Sequence, residues 1–255
     1  MNPVNILMGP KIGDLMHSLT VPAYYYHTLG RKSNFYLCER YDTFSTSLER
    51  TYEELKPILE AQKYINSFEI YDQSKHHFDH DLNMFRFNGL LYTRSFWAVF
   101  LHTAFPHCPK IPRNFKVLDM PKDDTFKDCL LIHRKDGRFD WNDEVDRNYR
   151  KVMDQFDRKV FIDFEEHHYQ KFKYKDECEL FVVPELGKFM SYINGCKMLL
   201  TNGSGPLCMA TSMNSPRIGE LGRFITYHYM HDHLFFDNAE FFEENGVLTP
   251  NPKYL

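Results

Sequence analysis

The stretch from Phe181 to Glu220, FVVPELGKFMSYINGCKMLLTNGSGPLCMATSMNSPRIGE, constrains this chain more than any other. Short apolar runs at Phe181–Val183, Met198–Leu200 and Arg217–Gly219 alternate with helical segments of about ten residues. That alternation predicts a parallel sheet in an α/β fold, because parallel strands need crossover helices between them. At its centre, Thr201-Asn202-Gly203-Ser204-Gly205 leaves a buried strand and enters a helix. Backbone N–H groups and the helix N-terminus at such a place point into the crevice at the strand ends, which suits a phosphate. The glycines permit close approach to the backbone, and Ser204 adds a hydroxyl donor. Taken alone, the same five residues also read as a plain strand-to-helix turn.

A chain of 255 residues can hold one large domain or two small ones, and 43% hydrophobic with 26% charged residues is enough for a sizeable core. The net charge of -4 gives no global basic field to recruit nucleic acid. Six cysteines are scattered without a CxxC pair, the pattern of reduced core thiols in an intracellular protein, so a cytoplasmic setting is expected. The N-terminal MNPVNILMGP lacks the basic flank and apolar length of a signal peptide and reads as a first strand. The apolar run Phe96–Phe105 is about half the length a membrane span requires, so no transmembrane segment is expected. Oligomeric state is not legible.

In chain order, a strand at Val4–Met8 leads through Gly9–Gly13 to Asp14 and a helix over Leu15–Leu29. Pro22 is expected to kink that helix and Gly30 to cap it. A strand at Asn34–Cys38, a charged helix from Thr46 to Gln62 and a strand at Phe68–Tyr71 complete a βαβαβ order. Residues 73–90 look irregular, and an aromatic helix follows over Tyr92–Phe105. Pro106, Pro109, Pro112 and Pro121 mark a crossing between two halves. The second half should hold strands at Cys129–His133, Lys159–Asp163, Leu180–Val183, Met198–Thr201 and Pro216–Glu220, with Asp140 or Asn142 capping a helix after the first. The tail from Asn238, with Phe241 and Phe242, reads as a last helix that can cross back to the first half. The expected architecture is α/β: two Rossmann-like parallel-sheet domains facing a cleft, residues 1–120 and 121–255.

Three segments carry a family resemblance: Gly13-Asp14-Leu15-Met16-His17-Ser18-Leu19, Leu131-Ile132-His133-Arg134, and the block from Gly187 to Ala210. In order and context, from about residue 5 to 222, they resemble the ADP-heptose lipopolysaccharide heptosyltransferases. The resemblance implies a compact GT-B-like fold whose N-terminal domain serves the acceptor and whose C-terminal domain binds the nucleotide sugar. The implied activity is a metal-independent, inverting transfer of a sugar from a nucleoside diphosphate to a hydroxyl, with no cofactor beyond the nucleotide-sugar donor.

Asp14 matches the family's Gly-Asp motif, whose Asp takes the acceptor's proton. A carboxylate at a helix start can do this, although it can equally serve as a favourable first-turn acid. Arg134 and Lys135 match the basic loop that meets the donor phosphates. Gly203, Ser204 and Gly205 match the glycine turn that cradles them, where the family usually carries Asp-Thr-Gly and a following His; here Cys208 stands at the His position. Pro184, Glu185 and Leu186 fall where base and ribose contacts cluster, with Glu220 a further ribose candidate, while Glu185 can instead simply open a helix. Lys11, Gly13 and His17, beside Asp14, are acceptor or sugar candidates, His17 being read as a surface residue. The acceptor hydroxyl is open: a glycan, a glycolipid, a protein or a modified DNA base.

Two histidine-rich clusters, His76, His77, Asp79, His80 and Asp81, and His228, His231, Asp232 and His233, lack the spacing of a zinc site, so no metal is expected. Two other classes stay open: a sugar-nucleotide epimerase or hydrolase on the same scaffold, and a non-catalytic nucleotide-sugar-binding protein.

Overall fold

A computed structural model of the chain describes residues 2–39, 47–87, 96–107, 117–137, 141–220, 241–244 and 247–250. Val4–Met8, apolar apart from Asn5, forms β1 with every residue buried, as a strand covered on both faces must be. Helices α1 (Ile12–Ser18) and α2 (Thr20–Leu29) follow. One helix was expected here. The break at Leu19 comes three residues before Pro22, whose ring excludes a regular helical carbonyl at position 18 and whose nitrogen cannot donate. Gly30 caps α2 at φ 64°, the left-handed conformation that Gly takes without a Cβ penalty.

Strands β2 (Ser33–Leu37) and β3 (Ile65–Ile70) flank α3 (Leu48–Glu60), which Ser47 caps through its side chain. The stretch read as irregular contains β4 (His80–Asp81) and a 3-10 helix, Leu82–Phe87, followed by α4 (Phe96–Ala104). The first sheet is wholly parallel with order β3-β2-β1-β4. Among the described residues, the chain divides into two compact units between Asp119 and Met120.

The second unit runs β5 (Leu130–His133), α5 (Asp143–Met153), β6 (Lys159–Asp163), α6 (His167–Gln170), β7 (Glu179–Val182), α7 (Leu186–Gly195), β8 (Met198–Asn202), α8 (Gly205–Met213) and β9 (Arg217–Glu220). These five strands are parallel in the order β9-β8-β5-β6-β7. Asn142, one of the two cap candidates, accepts from the Val145 backbone at 2.9 Å; Asp140 lies outside the described residues. Where a last helix was expected, β10 (Phe241–Glu244) and β11 (Val247–Pro250) form an antiparallel hairpin that extends the sheet beside β9. The edge of β9 offers these two short segments a ladder to join.

The core of the second unit lies between sheet and helices, where Tyr149, Val152 and Met153 of α5 meet Leu130, Ile132 and Phe161. Gly195 closes α7 under a tight constraint: a Cβ there would sit 2.0 Å from the Asp123 carbonyl oxygen.

Candidate functional site

In open α/β sheets, ligands bind at the carboxyl ends of strands where the strand order reverses. Each unit has one such switch point, between β1 and β4 in the first and between β5 and β8 in the second. The loop after β1 in the first, and the loops after β5 and β8 in the second, are those that the sequence singled out.

At the first switch point, Asp14 sits in the opening turn of α1 and is buried. Its Oδ2 accepts from Arg86 Nη2 at ion-pair distance. Arg86 belongs to the 3-10 helix after β4. Three residues earlier in that helix, Asn83 Oδ1 accepts from the Gly9 N–H at 2.8 Å. The loop after β1 is therefore held twice by the element after β4. Lys11 is exposed at the N-cap of α1, and Gly13 lies within the helix beside Asp14. His17, read as a surface residue, is instead buried: its Nδ1 accepts from Trp97 Nε1 at 2.8 Å, and that contact joins α1 to α4. Burial and this hydrogen bond tie His17 into the packing of α1 against α4.

At the second switch point, the Asn202 side chain links the two loops: Oδ1 accepts from the Lys135 N–H at 3.1 Å and Nδ2 donates to the Lys135 carbonyl at 2.9 Å. The Lys135 side chain is exposed. The Gly203 N–H donates to the Glu220 carbonyl at 2.8 Å, and Ser204 is the N-cap of α8 with its hydroxyl donating to the Asn202 carbonyl at 3.0 Å. Gly205 opens α8, followed by Pro206, a residue suited to the first helical turn.

Arg134 and Glu220, each a candidate for the donor, are bonded to one another. Arg134 Nε and Nη2 donate to the two Glu220 oxygens, each at 2.8 Å, while Tyr149 Oη donates to Glu220 Oε2 at 2.9 Å. The Trp141 ring covers the guanidinium at 4.2 Å. The pair is almost wholly buried, at 5% and 2% side-chain exposure. Burial opposes the guanidinium's charge, yet the Glu220 carboxylate holds the Arg134 pKa above its ordinary value. Burial and Glu220 together push the Tyr149 hydroxyl well up. These three side chains form one ionic unit of zero net charge. Tyr149 and Trp141 carried no sequence signal beyond helical spacing and aromatic content.

Further along the same edge, His133 ends β5 and Asp163 ends β6, with Nε2 and Oδ1 3.8 Å apart. His133 Nδ1 and Asp163 Oδ2 are buried without a hydrogen-bond partner among the described residues. Burial pushes the His133 imidazole down to about 3, and burial pushes Asp163 up. At the end of β7, Pro184 and Glu185 are exposed and Leu186 is buried as the first residue of α7. Glu185 is the N-cap of α7 but makes no side-chain cap bond.

The first histidine cluster is distributed among structural partners. His77 Nε2 meets Asn5 Nδ2 at 2.8 Å, Asp79 Oδ2 accepts from the Asn5 N–H at 2.8 Å, and His80 Nε2 meets Tyr25 Oη at 2.6 Å. His76 stacks on Tyr36. Among the described residues, no group of three or more His, Cys, Asp or Glu side chains converges as a metal site would require. The second cluster, from His228 to His233, lies outside the described residues.

Similarity to known proteins is visible only in three dimensions: no family model matches the sequence, and no curated protein matches it. The E. coli heptosyltransferase WaaC, solved with ADP-2-deoxy-2-fluoro heptose, superimposes with a TM-score of 0.53 at 11% identity, over 86% of this chain and 89% of WaaC. The family 9 glycosyl transferase from Veillonella parvula gives 0.55 at 13% identity, over 87% and 81%. The iron-containing dodecameric glycosyltransferase TibC from E. coli gives 0.59 at 11% identity, over 95% of this chain and 63% of TibC. The chain has the fold of the heptosyltransferases. The two parallel α/β sheets expected from the sequence are those of that fold. Among the described residues, no helix is long and apolar enough to cross a membrane.

Proposed function

We propose that this protein is a glycosyltransferase that moves a sugar from a nucleoside-diphosphate sugar to an acceptor hydroxyl, with inversion and without a metal. What supports the reading is a carboxylate, Asp14, buried at the head of the helix after β1 in a fold found in ADP-heptose-binding transferases.

In this mechanism Asp14 takes the proton of the acceptor hydroxyl as its oxygen attacks the anomeric carbon. The bond from that carbon to the diphosphate oxygen breaks, and the departing nucleoside diphosphate keeps the electron pair. Attack on the face opposite the leaving group inverts the anomeric centre. The negative charge that develops meets the Lys135 ammonium and the N-terminus of α8, with its Gly203-Ser204-Gly205 approach. Arg134 contributes by fixing the loop after β5, since its pairing with Glu220 is net neutral. Pro184, Glu185 and Leu186 remain the candidates for the base and ribose. Lys11 and Gly13, beside Asp14, remain the candidates for the acceptor or sugar. A cytoplasmic setting belongs to the same proposal and rests on the cysteines, five of which are free thiols among the described residues.

A thermal-shift series with nucleoside diphosphates and nucleotide sugars, in magnesium and in EDTA, tests the donor half of this reading. A ligand at 100 times its Kd stabilises the native state by about 2.7 kcal/mol. One nucleoside diphosphate should raise Tm equally in both buffers. Stabilisation confined to magnesium would contradict the metal-free mechanism, and a flat series would contradict donor binding. Turnover of a nucleotide sugar without acceptor would favour an epimerase or hydrolase.

A further inference from the structure

The first switch point contains an arrangement that bears on how a base at Asp14 would work. The 3-10 helix Leu82–Phe87 follows β4 directly, and residues three apart in a 3-10 helix share one edge. Asn83 and Arg86 are such a pair, and both reach the loop after β1: Asn83 through the Gly9 N–H, Arg86 through the Asp14 carboxylate. Asn83 is itself oriented, because its amide nitrogen donates to Asp81 Oδ1 at 2.9 Å and contacts Cys38 Sγ at 3.5 Å. Its oxygen must then face Gly9. The Arg86 guanidinium lies over the Phe85 ring at 4.6 Å, which limits the directions it can take. The pair with Asp14 is only partly screened from solvent, at 28% and 12% side-chain exposure. A contact of that kind adds little to stability. It does fix which way a carboxylate points.

Resting on the transferase reading, we propose that Arg86 is a positioning residue: it aims the Asp14 carboxylate, and the Leu82–Phe87 helix is the element that sets the catalytic loop. Arg86 acts on the acceptor's proton transfer through Asp14, with no contact to the donor.

The test compares full-length wild type with R86Q, R86K, R86A, D14N and the double variant D14N/R86Q, reading kcat, donor KM and Tm. R86Q should lower kcat about 10- to 100-fold, the scale of a misdirected catalytic group, with donor KM within about twofold and Tm within about 4 °C of wild type. R86K should recover part of the loss, and ethylguanidinium added to R86A should recover more. The double variant should be no slower than D14N, because Arg86 acts only through Asp14. Wild-type kcat in R86Q overturns the inference, as does a loss that multiplies with that of D14N. A kcat loss that tracks a collapse in Tm, unrecovered by Lys or by guanidinium, also overturns it. Full turnover by D14N, or none by wild type with any nucleotide sugar, instead sinks the transferase reading and this role with it.

Discussion

The two switch points carry the same chemical pair, an arginine on a carboxylate, in two different settings. In the first unit, Arg86 Nη2 meets Asp14 Oδ2, with 28% and 12% of the side chains exposed. In the second, Arg134 grips both oxygens of Glu220, with 5% and 2% exposed, under Trp141 and beside Tyr149. Breaking one half of a buried pair leaves an uncompensated charge, whereas a pair partly open to solvent is screened by water and adds less. The buried pair is therefore a lock on the sheet edge, and the open pair is available for chemistry. Each switch point also uses one asparagine to tie its two loops together, Asn83 to Gly9 and Asn202 to Lys135.

The comparison breaks most visibly at Glu220. E220A should cost about 3–5 kcal/mol in urea unfolding, because the buried Arg134 guanidinium would lose its counter-charge. A loss below about 1 kcal/mol would mean the pair is no lock. The dryness of the same edge is read by pH at His133. An unfolded imidazole takes up its proton near 6.5, while the folded one resists until about 3. Stability present above pH 6.5 should then fall, by about 1–2 kcal/mol between pH 6.5 and 5. Asp163 works against this trend, since its raised pKa lifts its burial penalty as pH falls. H133Q should flatten the slope; an unchanged slope would place its origin elsewhere. Smaller still are the two asparagines. N83A and N202A should each cost about 1 kcal/mol, but N202A should weaken nucleoside-diphosphate binding and N83A should lower kcat. Identical functional profiles would erase the division between the units.

Much of the fold was legible because buried parallel strands announce themselves as apolar runs spaced by helices, and β1, β5, β6 and β8 all do so. Asp14 and the Gly203–Gly205 turn were legible for the same reason: each follows such a run. Strand β4 was not, since His80 and Asp81 are two polar residues held by the backbone of β1, with no periodicity of their own. With β4 unseen, Arg86 and Asn83 had no reason to lie near Asp14. The pairing of Arg134 with Glu220 spans 86 positions and was equally hidden, as only the parallel register of β5, β8 and β9 brings their ends together. The closing hairpin escaped because strand identity at Phe241–Glu244 comes from the neighbouring strand and not from local propensity.

The most direct test of the account is D14N, with donor affinity by calorimetry set beside single-turnover sugar transfer. Nucleoside-diphosphate binding should be unchanged and the transfer rate lower by about 10²–10⁴-fold, the usual contribution of a general base. Transfer at the wild-type rate in D14N would contradict it.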